Sequence, residues 1–250
     1  MSDRNVHQPD SNISEIWNEV SRNYNWNNYW KGCENIANLK VLLKHIGDPK
    51  GKAIIEMGSG SGFTSALLAA KGAVCSLLDI SKDSLEIAAE AFRENKLPEP
   101  ACVLGDALNS GLDSNSFDVA WNGGVIEHFA DPGKEQLIRE MHRIAKPGGA
   151  VIVLVPNSNC FQFQLVQKWM KMRGTWPYGF EDDMSPARLK RMALKLGFLE
   201  SETYAFNSTV GWRWLPGIGP RLTSLLKMEN LERHMRKSSL GYVSVLVIRK

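Results

Sequence analysis

The feature that most constrains this chain is a short apolar run that leads into a cluster of glycines, at residues 53–63. The run covers residues 53–55, and the turn after it contains three alternating glycines, Gly58, Gly60 and Gly62. An apolar run bounded in this way predicts a buried strand. Residues 64–70 then predict a helix that ends at Gly72. A strand, a glycine turn and a helix bring backbone close to a nucleotide-like ligand, because glycine has no Cβ to block the approach.

The spacing of these glycines separates two kinds of ligand site. A dinucleotide fingerprint requires G-x-G-x-x-G with a pyrophosphate at the helix N-terminus. This chain has G-x-G-x-G, and Phe63 stands where the last glycine of that fingerprint belongs. Glu56 lies beside the turn, where a carboxylate repels a pyrophosphate and favours an ammonium or another positive centre. A tight turn without a ligand is the alternative interpretation.

Two further apolar runs also end in an acidic residue. Asp79 follows the run at 73–78, about twenty residues beyond the glycine turn, where an acid in a doubly wound fold accepts hydrogen bonds from ribose hydroxyls. Asp106 follows the run at 101–104. Its carboxylate can accept from an exocyclic amine while the N–H of Ala107 donates to a ring nitrogen, a pair that reads adenine. The alternative for Asp106 is an Asx turn that begins a loop.

The remaining pattern predicts a parallel sheet that is covered by helices on both faces. Apolar runs at 117–121 and 150–155 continue the series, and the strands are continuous apolar runs that alternate with helical segments. The helices are predicted at 33–45, 81–95, 134–145 and 185–197, with a further one from Ile13. Ligands of such a sheet bind beyond the carboxyl ends of its strands, where Glu56, Asp79, Asp106 and Asn122 all fall.

Composition and charge limit the classes of molecule that this chain is expected to bind. The 250 residues are 43% hydrophobic and 23% charged, which is typical of one α/β domain with appendages. The net charge of +3 is unevenly distributed, at −5 over residues 1–160 and +8 over residues 161–250. The chain has no dense basic stripe with interleaved aromatic residues, so we expect no nucleic-acid partner.

The cysteines and the N-terminus favour a cytoplasmic protein. Cys33, Cys75, Cys102 and Cys160 form no CxxC pair and are expected to be reduced. The first thirty residues are polar and show no signal peptide, and no apolar run reaches membrane-spanning length. No cluster of His, Cys and Asp has metal-ligand spacing, so we expect no metal site.

The motifs together resemble a known family. They are EMGSGSG, LDIS, GDA, FDVAWNGGVIEHF and IAKPGGAVIVLVPN, and they span roughly residues 52–155 in order. The chain resembles the class I S-adenosylmethionine-dependent methyltransferases, in the group similar to quinone-biosynthesis C-methyltransferases. The resemblance implies an α/β fold with a doubly wound, seven-stranded, mostly parallel sheet and an antiparallel C-terminal strand at 242–248. It also implies a lid at 1–47, a cofactor-binding core at 48–156, and substrate-side helices and closing strands at 157–250.

The resemblance assigns the cofactor-binding residues to the strand ends. Glu56 and the turn of Gly58, Ser59, Gly60 and Gly62 hold the methionine part of S-adenosylmethionine. Asp79 binds the ribose, Ile80 packs on the adenine, and Asp106 and Ala107 read the adenine edge. Asn122 and Gly123 approach the amino group through their backbone.

One residue is a candidate general base. Methyl transfer from a sulfonium needs alignment and exclusion of water, and it needs a base only where the nucleophile must lose a proton. His128 lies at the mouth of the fourth strand with Glu127 beside it. The alternative is a histidine that only packs in this loop.

The acceptor side is predicted from aromatic and basic residues. Tyr24, Tyr29 and Trp30 belong to an aromatic segment that is either a hydrophobic staple or a lid over the site, and Tyr178 lies in a second aromatic segment. A basic amphipathic helix is predicted at 221–237. It either packs on the core or contacts an anionic acceptor or a membrane surface.

The expected function is methyl transfer to a small-molecule or lipid-like acceptor, with carbon, nitrogen, oxygen and sulfur acceptors and the oligomeric state left open. Two other classes are considered. A non-catalytic cofactor-binding protein could retain the same fold. A nicotinamide-dependent oxidoreductase is disfavoured by the glycine spacing, by Glu56 and by the closing strand.

Overall fold

The computed structural model describes residues 13–22, 33–206 and 241–250, and a seven-stranded sheet lies within them. In chain order the strands are β1 (Ala53–Met57), β2 (Val74–Asp79), β3 (Ala101–Leu104), β4 (Phe117–Gly123), β5 (Ala145–Pro156), β6 (Glu202–Phe206) and β7 (Val243–Arg249). The order across the sheet is β3-β2-β1-β4-β5-β7-β6. The five strands from β3 to β5 pair in parallel, whereas β7 is antiparallel to both β5 and β6. The predicted fold class is confirmed.

Helices cover both faces of this sheet. They are α1 (Ile13–Ser21), α2 (Cys33–Ile46), α3 (Phe63–Ala69), α4 (Lys82–Glu94), α5 (Asp131–Ile144), α6 (Phe161–Met172) and α7 (Pro186–Lys195), with a 3₁₀ turn at Ile126–His128. Residues of α2, α3 and α4 pack in one hydrophobic cluster with the sheet. Residues of α5 and α7 pack in a second cluster. The strands are apolar along their length because side chains on both of their faces are buried.

Element boundaries differ from the sequence prediction at three places. Helix α5 begins at Asp131, three residues earlier than predicted, because proline and an acid are both favourable in a first helical turn. Strand β5 begins at Ala145, which pairs with Phe117 before a register shift and so takes in the Pro-Gly-Gly turn. No helix is predicted over α6, whose apolar positions are interrupted by glutamine and lysine.

The segment predicted as an N-terminal lid, residues 1–47, contains two described helices, α1 and α2, that pack against different parts of the fold. Helix α2 contributes Leu39, Leu42 and Ile46 to the hydrophobic core, so it belongs to the layer that covers the sheet. Helix α1 lies against α4, where Ser81 Oγ donates to Asn18 Oδ1. The candidate pocket residues Tyr24, Tyr29 and Trp30 lie outside the described residues, as does the basic segment at 221–237. In the part of the chain that is described, no helix is long and apolar enough to cross a membrane.

Candidate functional site

A cavity of about 250 Å³ opens beyond the carboxyl ends of β1, β2 and β4. Its walls include ten of the residues predicted from the sequence: Glu56, Gly58, Ser59, Gly60, Asp79, Ile80, Asp106, Ala107, Gly123 and His128. These residues come from separate turns of the chain, and the parallel order of the strands brings them to one edge. The location is the one that this class of sheet uses for ligands.

The turn after β1 forms the floor of the cavity. Gly58 and Gly60 have φ angles of 73° and 49°, a left-handed conformation that favours glycine. The N–H groups of Gly58 and Ser59 donate to the carbonyl of Leu78, at 2.7 and 3.0 Å, so the turn is held against β2. A Cβ on Gly58 would lie 2.6 Å from Val125 Cγ2. Within the described part of the chain the buried Ser59 Oγ has no hydrogen-bond partner, and it lies in the cavity wall, where a ligand can supply one.

Asp79 is held in place by backbone donors. The N–H of Gly60 donates to Oδ2 at 2.7 Å, and the N–H of Ser81 donates to Oδ1 at 2.9 Å. Each oxygen retains a lone pair, so the carboxylate can also accept from a vicinal diol. Burial raises the pKa of Asp79, and the two backbone donors oppose that rise. The link between Gly60 and Asp79 couples the glycine turn to the end of β2.

Glu56 is the second buried acid of the cavity. Ser65 Oγ donates to Glu56 Oε2 at 2.6 Å, so the start of α3 orients this carboxyl group. Burial raises the pKa of Glu56 to about 8, and the nearby charge of Asp79 adds to the rise. At neutral pH a bound cation therefore stabilises the ionised form of Glu56 and releases its proton.

The adenine-reading residues predicted from the sequence lie at the rim of the cavity. Ile80 is 40% exposed and lines the cavity, so an apolar surface is available to a planar ring. Asp106 Oδ1 accepts from the N–H of Leu108 at 2.8 Å, which is the Asx-type turn considered as the alternative. The carboxylate has a second oxygen at the cavity, so the turn and a ligand contact are compatible.

The charge of the cavity selects among cofactors. Three acids line it, at positions 56, 79 and 106, and the lining contains no Lys or Arg among the described residues. Such a surface suits a ligand with an ammonium and a sulfonium, and it disfavours the pyrophosphate of a nicotinamide dinucleotide.

Comparisons with known proteins agree with this geometry. A family model described as "Methyltransferase domain" matches residues 55–153, which carry the glycine turn, Asp79 and His128. The ubiquinone biosynthesis O-methyltransferase of Chromobacterium violaceum is 29% identical over 154 residues, or 59% of this chain and 64% of that protein. The chain thus spans just under two thirds of that curated relative. Over residues 55–153 this chain is therefore similar to a methyltransferase domain.

Two solved methyltransferase structures share the fold. One is a "possible histamine N-methyltransferase" from Thermotoga maritima, with a TM-score of 0.63 and 19% identity over 95% of this chain and 98% of that one. The other is phosphoethanolamine N-methyltransferase 2 of Haemonchus contortus, in complex with phosphomonomethylethanolamine and S-adenosylhomocysteine. Its TM-score is 0.58 at 19% identity, and the match covers 96% of this chain and 58% of that one.

His128 lies in the wall of the cavity. Its side chain is 8% exposed, and Nδ1 is 2.9 Å from the carbonyl oxygen of Phe180. Because a carbonyl only accepts, Nδ1 is the donor, and the other ring nitrogen, Nε2, carries a lone pair in the neutral ring. Burial lowers the pKa of His128 to about 4, so the ring is neutral at physiological pH.

Two predicted cofactor residues do not reach the cavity. Gly62 faces the packing between strand and helices, where an added Cβ would lie 2.9 Å from Leu77 Cδ1 and 3.1 Å from Ala88 Cβ. Asn122 is fully buried, and its Nδ2 donates to the sulfur of Met141 at 3.1 Å. The following Gly123 and Gly124 line the cavity instead. Asn122 therefore stabilises the contact between β4 and α5.

Two aromatic residues that were not predicted as site residues, Trp17 and Phe129, also line the cavity. Trp17 of α1 lines it, and its ring makes an edge contact with His128 at a centroid distance of 5.0 Å. Tyr178 stacks on the other side of Trp17 at 6.4 Å but does not itself line the cavity. Phe129 is a further lining residue, and its signal is its position next to His128.

Asn38 was also missed, although a signal for it exists in the sequence. It lines the cavity from α2, and its Nδ2 is 3.8 Å from the position of a Cβ on Gly123. It is the polar residue between Ala37 and Leu39, which are both buried. A polar side chain on an otherwise buried helix face indicates a site that requires a hydrogen bond.

Proposed function

We propose that this protein transfers a methyl group from S-adenosylmethionine to a small-molecule or lipid-like acceptor. The observation that carries the proposal is the pairing of Asp79 and Glu56 in one cavity without a basic lining residue among those described. Asp79 is oriented for ribose hydroxyls by two backbone donors, and Glu56 is placed for an ammonium. The match of residues 55–153 to a methyltransferase domain model supports the same cofactor.

The chain's own residues define how the cofactor would be held. The Ser59 Oγ, which has no hydrogen-bond partner among the described residues and lies in the cavity wall beside Gly58, favours a polar aminoacyl group against the turn. Ile80 would pack on the adenine, and Asp106 with Ala107 would read its edge. S-adenosylmethionine, when bound, supplies an electrophilic methyl group on a sulfonium centre.

The residues around His128 would position the acceptor and exclude water. Trp17 and Phe129 form an apolar wall on this side, which lowers the local dielectric constant and aligns an acceptor. A ring whose pKa is about 4 holds a proton weakly at neutral pH. We therefore propose that His128 Nε2 accepts a hydrogen bond from the methyl-accepting substrate. Complete transfer of that proton to Nε2 would make His128 a general base.

The relatives suggest which acceptors to test first. The names of the similar proteins include a ubiquinone biosynthesis O-methyltransferase, a possible histamine N-methyltransferase and a phosphoethanolamine N-methyltransferase. We carry these over only as candidate classes, namely a phenol of the quinone type, an aromatic amine and an amino alcohol. All three classes are small molecules.

A lipid-like acceptor is favoured by one surface near the site. Helix α6 exposes Phe161, Leu165 and Met172 along one side, and Lys168 and Lys171 are exposed next to them. An exposed apolar stripe flanked by cations is typical of a helix that lies on an anionic bilayer. Co-sedimentation with phosphatidylglycerol vesicles should retain the wild type and lose a Leu165→Glu, Met172→Glu variant. Equal retention of both proteins contradicts this second proposal.

The proposed activity is tested by measuring S-adenosylhomocysteine formation with each candidate acceptor. We expect turnover with at least one class, and we expect an Asp79→Ala variant to lose most of it. Cofactor binding without turnover across all classes would instead support the non-catalytic protein considered from the sequence. Preferential binding of NADH would support an oxidoreductase.

The cytoplasmic location is also part of this proposal. Cys75, Cys102 and Cys160 are free thiols in the structure, which agrees with a reducing compartment. Fractionation of cells that express the tagged protein would test it. Recovery in a secreted or oxidising fraction would contradict it.

A further inference from the structure

Three acidic side chains form a cluster directly behind the acceptor side of the cavity. Glu127 belongs to the 3₁₀ turn, and Glu181 and Asp183 belong to the segment that precedes α7. Glu127 is 2% exposed and Asp183 is 8% exposed, while the side chain of Glu181 is 7% exposed. Buried carboxylates of like charge are unfavourable unless something compensates them.

The lysine and arginine side chains of this region form their ion pairs with other acidic residues. The Lys134 ammonium pairs with Asp182, and Arg188 pairs with Asp182 at 2.6 Å and with Asp131 at 2.7 Å. Among the ion pairs of the described residues, none joins Lys or Arg to Glu127, Glu181 or Asp183. The Lys171 Nζ lies over the Trp176 ring, 5.7 Å from its centroid, and its charge acts on Glu181 and Asp183 from a distance without forming an ion pair with either.

Neutral donors compensate the cluster only in part. Gln167 Nε2 donates to Glu181 at 2.7 Å, and Gln164 Nε2 donates to Asp183 Oδ2 at 2.6 Å. Glu127 Oε2 and Asp183 Oδ1 are buried and have no hydrogen-bond partner among the residues that the structure describes. Such orphaned buried acceptors indicate a donor that the protein does not supply. Burial raises the pKa of Glu127, and it raises the pKa of Glu181 to about 7.

The cluster adjoins the cavity at two points. Glu181 Oε1 lies 3.9 Å from His128 Nε2, and His128 lines the cavity. Glu127 Oε1 lies 3.7 Å from the position that a Cβ on Gly124 would occupy, and Gly124 also lines the cavity. Because Gly124 has no side chain, it leaves an opening in the wall in front of the Glu127 carboxylate. No group of three His, Cys, Asp or Glu among the described residues is arranged to hold a metal ion, so a metal does not explain the cluster.

We propose that Glu127, Glu181 and Asp183 form a subsite for an ammonium group of the methyl acceptor, reached past Gly124 and His128. The inference rests on the proposed methyltransferase function and adds its substrate class, a cationic amine. An ammonium offers the hydrogen-bond donors that the orphaned oxygens lack, together with a positive charge in direct contact with the carboxyl groups. The aromatic rings of Trp17 and Phe129 in the same wall also favour a cation.

The test compares three probes of nearly the same shape on the protein loaded with S-adenosylhomocysteine. They are phenethylammonium, neutral 2-phenylethanol and anionic 3-phenylpropionate. Binding of each probe is measured by calorimetry, at concentrations up to 10-fold above the Kd of the probe that binds most tightly. We expect phenethylammonium to bind at least about ten-fold more tightly than either of the others. Equal affinities, or the absence of binding by phenethylammonium, overturn the proposal.

Variants assign the selectivity to the cluster. Glu181→Gln and Glu127→Gln should each reduce the preference for phenethylammonium at least about five-fold. Glu90→Gln, on the exposed side of α4, is the matched control and should retain it. Retention of the full preference in both cluster variants contradicts the assignment. Binding of S-adenosylhomocysteine is measured first for every variant and for the wild type. If the wild type does not bind it, the proposed function itself is refuted.

Discussion

At the scale of single residues, the cavity contains two buried carboxyl groups that differ in their hydrogen bonds and in their protonation. Asp79 accepts from backbone on each oxygen, so its position is fixed before a ligand arrives. Glu56 has a single donor, Ser65, and a raised pKa. Its buried site therefore favours the protonated form until a cation binds. The difference makes Glu56 the residue whose protonation should report ligand binding.

Glu56→Gln should affect stability and binding in opposite directions. The folded protein raises the pKa of Glu56 from 4.5 to about 8, so this group opposes folding increasingly as pH rises across that interval. The variant should therefore be more stable than the wild type at pH 8, on the order of 2 kcal/mol, and equal to it near pH 4.5. Thermal denaturation across this range measures the difference.

The same variant should bind S-adenosylhomocysteine at least about ten-fold more weakly, because an amide does not carry the charge that pairs with an ammonium. Calorimetry in buffers of different ionisation enthalpy should show proton release on binding at pH 7 by the wild type and less by the variant. A stability difference that is independent of pH would refute this role of Glu56.

Two glycines of the same turn should respond differently to alanine. Both have a positive φ, so Gly58→Ala and Gly62→Ala should each destabilise the protein by about 1–3 kcal/mol. A Cβ on Gly58 meets Val125 in the cavity wall, whereas a Cβ on Gly62 meets Leu77 and Ala88 in the core. We expect only Gly58→Ala to weaken S-adenosylhomocysteine binding beyond about three-fold. Equal losses of affinity would show that Gly62 also belongs to the site.

Residue-scale prediction succeeded where spacing along the chain determines position. Asp79 and Asp106 end strands of a parallel sheet, so their place at its edge follows from the order of elements. Asn122 also ends a strand, but the alternation of side chains turns it toward α5. The cluster of Glu127, Glu181 and Asp183 joins segments far apart in sequence, and their contact depends on tertiary packing that no local pattern encodes.

At the scale of elements, helix α1 brings an aromatic side chain of the N-terminal region to the cavity. Trp17 reaches the wall from a helix of nine residues that is held to α4 by Asn18 and Arg22. The apolar spacing predicts the helix, but the partner of its apolar face is set by the whole fold. The aromatic segment that follows lies outside the described residues, so its role as a lid stays a prediction.

Trp17→Ala should weaken ligand binding without a large loss of stability. The ring covers His128 and the cavity, and its removal exposes the ligand side to water. We expect about five- to ten-fold weaker S-adenosylhomocysteine or acceptor binding and a change in Tm of less than about 4 °C. Glu15→Ala, on the exposed side of the same helix, is the control. Unchanged binding in Trp17→Ala would contradict a role for α1 in covering the site.

The segment between α6 and α7 is held by an ion pair between a fully buried lysine and an aspartate that is 35% exposed. The Lys134 side chain is fully buried and pairs with Asp182, which also takes both terminal nitrogens of Arg188. The Arg188 hydrogen bonds lower the pKa of Asp182 to about 2. This stabilising contribution is present above pH 3.8 and is lost as pH falls toward 2.

Asp182→Asn should therefore destabilise the protein at neutral pH by about 3 kcal/mol, because it leaves a buried ammonium poorly compensated. Urea denaturation at pH 7 measures the cost, which should shrink near pH 2. Glu135→Gln breaks the ion pair with the more exposed Lys195 and should cost less than about 1 kcal/mol. Equal costs for the two variants would show that the buried pair is not a special support of this segment.

At the scale of the whole molecule, the sheet brings residues from separate turns of the chain to one cavity. Five parallel strands place their loops at one edge, and the antiparallel β7 closes the sheet beyond β5. The alternation of apolar strands and helices encodes this arrangement, and the glycine spacing distinguishes the ligand. The acceptor is encoded less directly, because its walls come from α1, the 3₁₀ turn and the segment around Tyr178, which meet only in the folded chain.

The central claim is that the acidic cavity binds a cationic adenosyl cofactor through Asp79. The most direct test is calorimetric titration of the full chain with S-adenosylhomocysteine, with NADH as the comparison and Asp79→Ala as the variant. The account predicts micromolar or tighter binding of S-adenosylhomocysteine alone, about −8 kcal/mol or more favourable, and at least a ten-fold loss in the variant. Binding that survives in Asp79→Ala, or a preference for NADH, would contradict it.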